Sequence, residues 1–427
     1  MKTLQRSGNF LLIAFALLAN AWCFSAYAQE RPPGSDAESL LIFARDSNPE
    51  YAASRYEADA ASERATSSGA LPDPKFRTEL RDITRMGEQN ATLSPSRVGS
   101  TKYLVMQDVP WYGKRDLKRE IAEFDAQGTQ GRVRSTWAEL GVRIKSVFAQ
   151  LYYVHRNERL TQEILDLILR LEKVAQVRYA GGLTAQQDVI RAQVEQSNLR
   201  SELITLKNER RLLQARMNAL LSRPAEAALA EPERLRPTPA PVKLDYAALE
   251  ARVRGHNPQL FIDEARVKSA EKNRDLTYRN RFPDFTVGVS PIQYQNSVKE
   301  WELMVEINIP LQQGSRRAQE RESEAMLSAA KSRRDATANQ MLAELSENLA
   351  GIDAARQTES LIANSLLPQA ELTFSAALAG YENGKVDFAT LLDAQRQIRQ
   401  ARRNQIKAQA DMQVRLAEIE KLLGEDL

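Results

Sequence analysis

Residues Trp301-Glu302-Leu303-Met304-Val305-Glu306-Ile307-Asn308-Ile309 alternate in character along the chain. Trp301, Leu303, Val305, Ile307 and Ile309 are separated by Glu302, Met304, Glu306 and Asn308. A period of two is the mark of a strand with one apolar and one wet face. About ten residues of such a strand, tilted, span the hydrocarbon of a bilayer. Just upstream, Phe285, Val287 and Val289 alternate with Thr286, Gly288 and Ser290. Near the other end, Phe76, Thr78 and Leu80 alternate with Lys75, Arg77, Glu79 and Arg81, and Tyr103 to Val109 alternates less cleanly. The expected strands are therefore about 74–83, 101–110, 284–293 and 300–310. Trp111, Tyr112, Phe282 and Phe285 gather at one end of them, and Tyr103 and Trp301 at the other, as interfacial aromatic belts do. Four strands cannot close a barrel, and open edges in lipid leave backbone groups unsatisfied. Two chains would supply eight strands and three would supply twelve. A water-filled interior favours twelve, because an eight-stranded barrel is filled by its own side chains. The competing reading is two β-ribbons capping a soluble helical bundle. On the barrel reading, Glu302 and Glu306 face the lumen and tune its charge.

Around these strands the chain repeats one plan. Ser47-Asn48-Pro49-Glu50 matches His256-Asn257-Pro258-Gln259, and Leu71-Pro72-Asp73 matches Phe282-Pro283-Asp284. Val109-Pro110 with Gly113-Lys114-Arg115 matches Ile309-Pro310 with Gly314-Ser315-Arg316. Tyr179-Ala180-Gly181-Gly182 matches Tyr381-Glu382-Asn383-Gly384, and Arg191-Ala192-Gln193 matches Asp393-Ala394-Gln395. The order predicts repeats over 29–222 and 244–427, each reading helix, two strands, long helix, helix. They are joined by a linker over 223–243 that carries Pro224, Pro232, Pro237, Pro239 and Pro241. Leu140, Ile144, Val147, Leu151 and Val154, then Ile164, Leu167, Leu171 and Val174, keep a 3.5-residue period, the signature of supercoiled helix pairs. The stripe breaks at His155-Arg156-Asn157, where a bend or a change of partner is expected. Proline-free runs over 114–179 and 315–367 predict long helices, the first of roughly 100 Å and the second of roughly 80 Å. The segments 36–69 and 184–222 predict shorter helices that together reach the same length. A uniform rod that long exceeds the needs of a globular core and fits a tunnel.

The ends and the composition narrow the class. Lys2 and Arg6, the apolar run Phe10 to Leu18, and Ala26-Tyr27-Ala28 read as a signal peptide over 1–28. The single cysteine, Cys23, falls inside it, behind Trp22 where lipoprotein processing requires a small residue, so no lipid anchor is expected. Loss of Lys2 and Arg6 takes the formal net charge from +3 to about +1, which gives no field for nucleic acid. Hydrophobic content is 43% and mean hydropathy −0.47, with no second long apolar run, so a helical membrane protein is excluded.

With these phrases in order, the sequence resembles the TolC-like outer-membrane efflux protein family over essentially the whole exported chain. Its carriers are Pro283-Asp284 before a strand and Pro110-Trp111-Tyr112-Gly113-Lys114-Arg115 at the strand-to-helix corner. Gly182-Leu183-Thr184, Tyr381-x-x-Gly384 and Leu391-Leu392-Asp393-Ala394-Gln395 complete it. The resemblance implies a mainly α fold with a membrane β-barrel: a homotrimer in the outer membrane of a diderm bacterium, in contact with outer-membrane lipid, with a helical tunnel in the periplasm. It implies two partners, a periplasmic adaptor (membrane fusion) protein and an inner-membrane transporter of the RND type. The adaptor would dock at the inter-helix turns, Gly181, Gly182, Leu183 and Thr184 in one repeat and Gly384, Lys385 and Val386 in the other; glycine suits such turns on structural grounds alone. A narrowing near this tip would use Asp393, with Thr390 standing where the family often has a second aspartate, and Asp188 at the equivalent place in the first repeat. Asp393 would either ring the pore or pair with Arg191. Tyr179 and Tyr381 would supply hydrogen bonds holding the tip shut.

No enzymatic chemistry is legible. His155 and His256 stand in different elements without ligand spacing, and no phosphate loop or Gly-x-Ser-x-Gly occurs. Neither a cofactor, a bound metal nor catalysis is expected. The corner Trp111-Tyr112-Gly113-Lys114-Arg115 looks like that of members exporting heavy-metal cations. Drug efflux and type I protein secretion are the alternative cargoes, and an adaptor or a coiled-coil scaffold the alternative classes.

Overall fold

Residues 33–88 and 90–427 are described by a computed structural model; the expected signal peptide, with Cys23, lies outside them. The first half runs α1 (Ala37–Ser47), α2 (Pro49–Ser68), β1 (Lys75–Arg81), β2 (Ser100–Val109), α3 (Lys114–Ala180) and α4 (Gln186–Leu220). The second runs α5 (Tyr246–His256), α6 (Pro258–Arg279), β3 (Asp284–Tyr294), β4 (Ser297–Asn308), α7 (Gln313–Leu361), α8 (Leu367–Glu382) and α9 (Phe388–Leu423). No described helix is long and apolar enough to cross a membrane.

Two expectations about helices need correction. The segment 36–69 is not one helix. It breaks at Asn48, whose side chain accepts from the Tyr51 amide and starts α2, while its Nδ2 donates to the Leu220 carbonyl at the end of α4. Asn257 does the same in the second half, accepting from the Leu260 amide and donating to the Leu422 carbonyl. The repeated Asn-Pro pair is therefore a joint between helix ends: the asparagine caps one helix and ties down another, and proline tolerates the first turn. The second correction concerns the long helix expected to stop at Leu367. A π turn over Ile362–Leu366 absorbs Pro368, and the rod runs on through α8 to Glu382.

The 67 residues of α3 make the spine, roughly 100 Å long. Beside the strands, α2 and α6 flank α3, and α6 also packs on α7; farther away, α4 and α9 flank α3 and α9 packs on α8. The break in the α3 stripe is a change of partners in an unbroken helix. Leu140, Ile144, Phe148, Leu151 and Val154 pack with Leu40, Leu206, Leu213 and Met217. Leu160, Ile164, Ile168 and Leu171 pack with Leu199, Phe388 and Leu391. Beside the first of these cores a buried charge knot joins three segments. Lys145 on α3 donates to Glu420 on α9 at 2.7 Å and also to Asp426, while Arg236 of the proline-rich linker grips Glu420 with two bonds of 3.0 and 3.1 Å.

The strands form one antiparallel sheet in the order β1-β2-β3-β4. Phe76 lies opposite Val105, Val105 opposite Val289 and Val289 opposite Leu303, so one face is a continuous apolar surface. It is exposed in the single chain, Trp301 by 72%. The register also decides the strand whose alternation was unclear: Tyr103, Val105 and Val109 join the apolar face, and Leu104 and Met106 turn to the other. Gly288 makes that possible, since a Cβ there would come within 3.0 Å of Leu104 and 3.2 Å of Met106 and Met304. Strands β1 and β4 are the two free edges.

Candidate functional site

The charged face of the sheet is largely self-neutralised. Lys75 pairs with Asp108 at 2.8 Å, Lys102 with Glu302 at 2.5 Å, and Arg77 and Arg81 both approach Glu79. Glu302 is thus a paired carboxylate, whereas Glu306, opposite Thr286, has no ion-pair partner among the described residues.

Where strands give way to helices, the matched phrases meet one another. Asp284 accepts from the Trp111 amide at 2.8 Å and from the buried Lys114 ammonium at 2.9 Å, and Lys114 also donates to the Phe282 carbonyl. Trp111 stacks on Phe282 and Phe285 with ring centroids 5.2 and 5.7 Å apart. Gly113 has φ +82° and starts α3, a conformation that a side chain would strain. Arg115 and Arg316 each reach back to a carbonyl at the end of the preceding short helix, Gly69 and Asn280.

At the far end the two helical hairpins close in the same way. Gly182 (φ +71°) and Gly384 (φ +70°) are left-handed, and the amides of Leu183 and Lys385 return to the Arg178 and Gly380 carbonyls at 2.8 Å. This is the Schellman closure, and it explains both glycines without a ligand. Leu183 projects into solvent, whereas Val386 packs on Gly380. Thr184 donates to the buried Asp188 carboxylate, so Asp188 is turned into the hairpin rather than presented as a free charge. Thr390 serves as cap partner to Asp387: its amide and hydroxyl donate at 2.9 and 2.6 Å and hold that carboxyl below its ordinary range, with Arg191 adding to the effect. Asp393 is 66% exposed, and the ion pair it makes is with Arg396 at 3.4 Å, not with Arg191. Tyr179 is exposed. Tyr381 is buried against Phe388, where burial and the Asp188 carboxylate push its phenol up.

The strongest features of the tip are ones the sequence reading missed. The Arg178 guanidinium bonds the Glu382 carbonyl at 2.6 Å and lies 5.1 Å from the Tyr381 ring centroid, so the end of one hairpin clasps the end of the other. A cation one turn from a helix terminus was the available signal. Above it, Arg396 on α9 meets Glu195 on α4 at 2.6 Å, and Arg399 meets Glu202 at 2.8 Å. Glu195 is 2% exposed.

Residues 250–425 match the profile of the family described as outer membrane efflux protein. The chain is 24% identical over 398 residues to the cobalt-zinc-cadmium resistance protein CzcC of Cupriavidus metallidurans, covering 91% of this chain and 89% of that one. Its fold is that of the outer membrane protein VceC from Vibrio cholerae, with a TM-score of 0.78 at 16% identity over 91% of this chain and 96% of the other. The structure of CusC aligns with a TM-score of 0.79 at 15% identity over 94% and 96%. Taken with the rods, the sheet and the paired tips, these likenesses give the chain the fold of the channel structures VceC and CusC, with the outer membrane efflux protein profile matched over residues 250–425.

Proposed function

We propose that three copies of this chain pool their strands into a twelve-stranded barrel and their helices into a periplasmic tunnel, giving a passive exit duct. The observation that carries the reading is the sheet itself. It has one exposed apolar face, one charged face and two unpaired edges, at the end of rods roughly 100 Å long. Edges in lipid demand partners, and a symmetric ring of identical chains supplies them. The tip turns with Leu183 and Lys385 would receive a periplasmic adaptor (membrane fusion) protein, and an RND-type inner-membrane transporter would load the duct. The proposed cargo is heavy-metal cations, supported by the likeness to CzcC. In this reading the cations are substrate passing through the duct. Detergent-purified protein should have the mass of three chains and should conduct ions in planar bilayers. A strain lacking it should lose zinc, cobalt or cadmium tolerance. A water-soluble monomer without strand signal would overturn the duct; unchanged metal tolerance with new drug sensitivity would overturn the cargo.

A further inference from the structure

The apolar face of the sheet has a margin toward the helices, and the charge just past that margin is one-sided. Val109, Phe285 and Ile307 lie abreast on the face. Beyond them the apolar surface carries on past the strands. Trp111 stacks on Phe282 and Phe285, and Ile309 and Leu311 follow Ile307, Leu311 being 80% exposed. Tyr112, next to Trp111, is 85% exposed. The four segments that join strands to helices, 69–74, 111–119, 279–283 and 311–317, carry eight cationic side chains and two acidic ones, Asp73 and Asp116. At the opposite end of the sheet, 82–99 and 295–300 together carry three of each. The whole chain is near balance, with 59 basic and 56 acidic side chains, so the excess belongs to the helix end.

Three of the eight cations are neutralised: Lys114 by Asp284 at 2.9 Å, Arg281 by Glu320 at 2.6 Å and Arg119 by Glu123 at 3.3 Å. Arg115 and Arg316 bond backbone carbonyls and keep their charge. Lys118, Arg279 and Arg317 are exposed and have no ion-pair partner among the described residues. A Cβ on Gly113 would lie 3.8 Å from the Arg279 guanidinium carbon, and Gly113 is two residues after Trp111, so this cation sits on the helix side of the ring stack. Asp116 is about 200° around α3 from Lys118, on the other side of the helix. Aromatic rings mark the boundary of the hydrocarbon, and the heads of Lys and Arg just outside it lie at the depth of lipid phosphates. On the periplasmic side, where the helices leave the sheet, the leaflet of an outer membrane is built of phospholipid.

We infer that this margin binds anionic phospholipid, with Arg279, Lys118 and Arg317 on the headgroup phosphates and the Trp111–Phe282 stack against the upper acyl chain. The contact rests on the sheet meeting lipid as proposed above, and adds the headgroup that fixes its depth.

Native mass spectrometry of the detergent-solubilised protein tests it, with dioleoylphosphatidylglycerol and dioleoylphosphatidylcholine as probes. The parent protein should retain the anionic lipid in preference. Arg279→Gln and Arg317→Gln should each weaken that retention about fivefold, and both together with Lys118→Gln should abolish the preference. Arg279→Lys with Arg317→Lys should keep most of it. Three equally exposed and unpaired cations of α4, changed together as Arg200→Gln, Lys207→Gln and Arg216→Gln, should leave it intact. Equal retention of the two lipids by the parent, or equal loss in the two triple variants, would overturn the lipid site. So would displacement of the lipid by inorganic phosphate, the mark of a site for free anions. A shifted reversal potential in the Lys118, Arg279 and Arg317 variant with retention unchanged would also overturn it, because those cations would then face the lumen. Parent protein that stays soluble without detergent and takes up neither lipid would instead overturn the membrane sheet beneath it.

Discussion

Replacing Arg178 with alanine tests whether the two hairpin ends restrain each other. Its charge-assisted bond to the Glu382 carbonyl is 2.6 Å long, and its guanidinium lies 5.1 Å from the Tyr381 ring. Bonds of this kind contribute about 1.5–3 kcal/mol when desolvated. Arg178 is only half-buried, so about 1 kcal/mol is the appropriate share. The cation–π contact adds about 0.5–1 kcal/mol. Together they hold the paired hairpins by about 1.5–2 kcal/mol per chain, and by roughly three times that in a ring whose tips move as one. If the clasp is absent from the splayed state, Arg178→Ala raises the ratio of splayed to closed tips about tenfold or more per chain, since 1.4 kcal/mol is a factor of ten. Single-channel recording in planar bilayers reads this directly as a larger open fraction at unchanged unitary conductance. Arg178→Lys, which keeps the charge but not the planar fork, should fall between the two. An open fraction equal to that of the parent protein in both variants would refute the reasoning.

The remaining expectations follow from the same contacts. Arg396→Met strands the Glu195 carboxylate, which is buried and paired to it at 2.6 Å. It should lower the thermal midpoint by more than the double variant Arg396→Met with Glu195→Leu, and equal losses would count against a buried pair. Asn48→Ala removes a helix cap and a bond to Leu220, a loss of about 2 kcal/mol that Asn257→Ala should match, read as earlier melting of helical circular dichroism. In the proposed barrel, Glu306→Gln should reduce cation preference in reversal-potential measurements, whereas Glu302→Gln, whose parent is neutralised by Lys102, should change it less; the opposite order would be decisive against the assignment. The Asp387 carboxyl is held below its ordinary range, so its stabilisation is complete above that range and is lost as pH falls through the depressed value. Asp387→Asn should therefore flatten the acid limb of a thermal-stability profile, and an unaltered limb would remove Asp387 from that role.

The architecture was legible because its signals are local and periodic. Trp301 to Ile309 shows its two faces in the sequence, and Gly182 and Gly384 mark turns that only a left-handed residue closes well. Strand β2 was ambiguous because Leu104, Val105 and Met106 are all apolar; the space under Gly288, contributed by a residue far along the chain, decides which way they point. The helix break at Asn48 hid inside a helix-favouring stretch, since the carbonyl that holds it belongs to Leu220. The tip clasps were the least legible. Arg178 with Glu382, and Arg396 with Glu195, are about two hundred residues apart in a chain with 59 basic and 56 acidic side chains. Charge alone cannot select Arg396 with Glu195 among so many combinations, nor point to the backbone carbonyl of Glu382 that Arg178 takes, and only the packing of the two hairpins brings these groups together.

The knot of Lys145, Glu420 and Arg236 has a mechanical consequence. It locks the spine, the last helix and the linker at one height, which makes that height a natural fulcrum. From Lys145 to the end of α3 at Ala180 the free arm is roughly 50 Å at 1.5 Å per residue. Swinging its end through ~10 Å then needs a tilt of only about 11°, a rotation that packed helices can absorb by small sliding without unwinding. The rod can behave as a stiff lever, moving much at one extremity while the sheet at the other stays still.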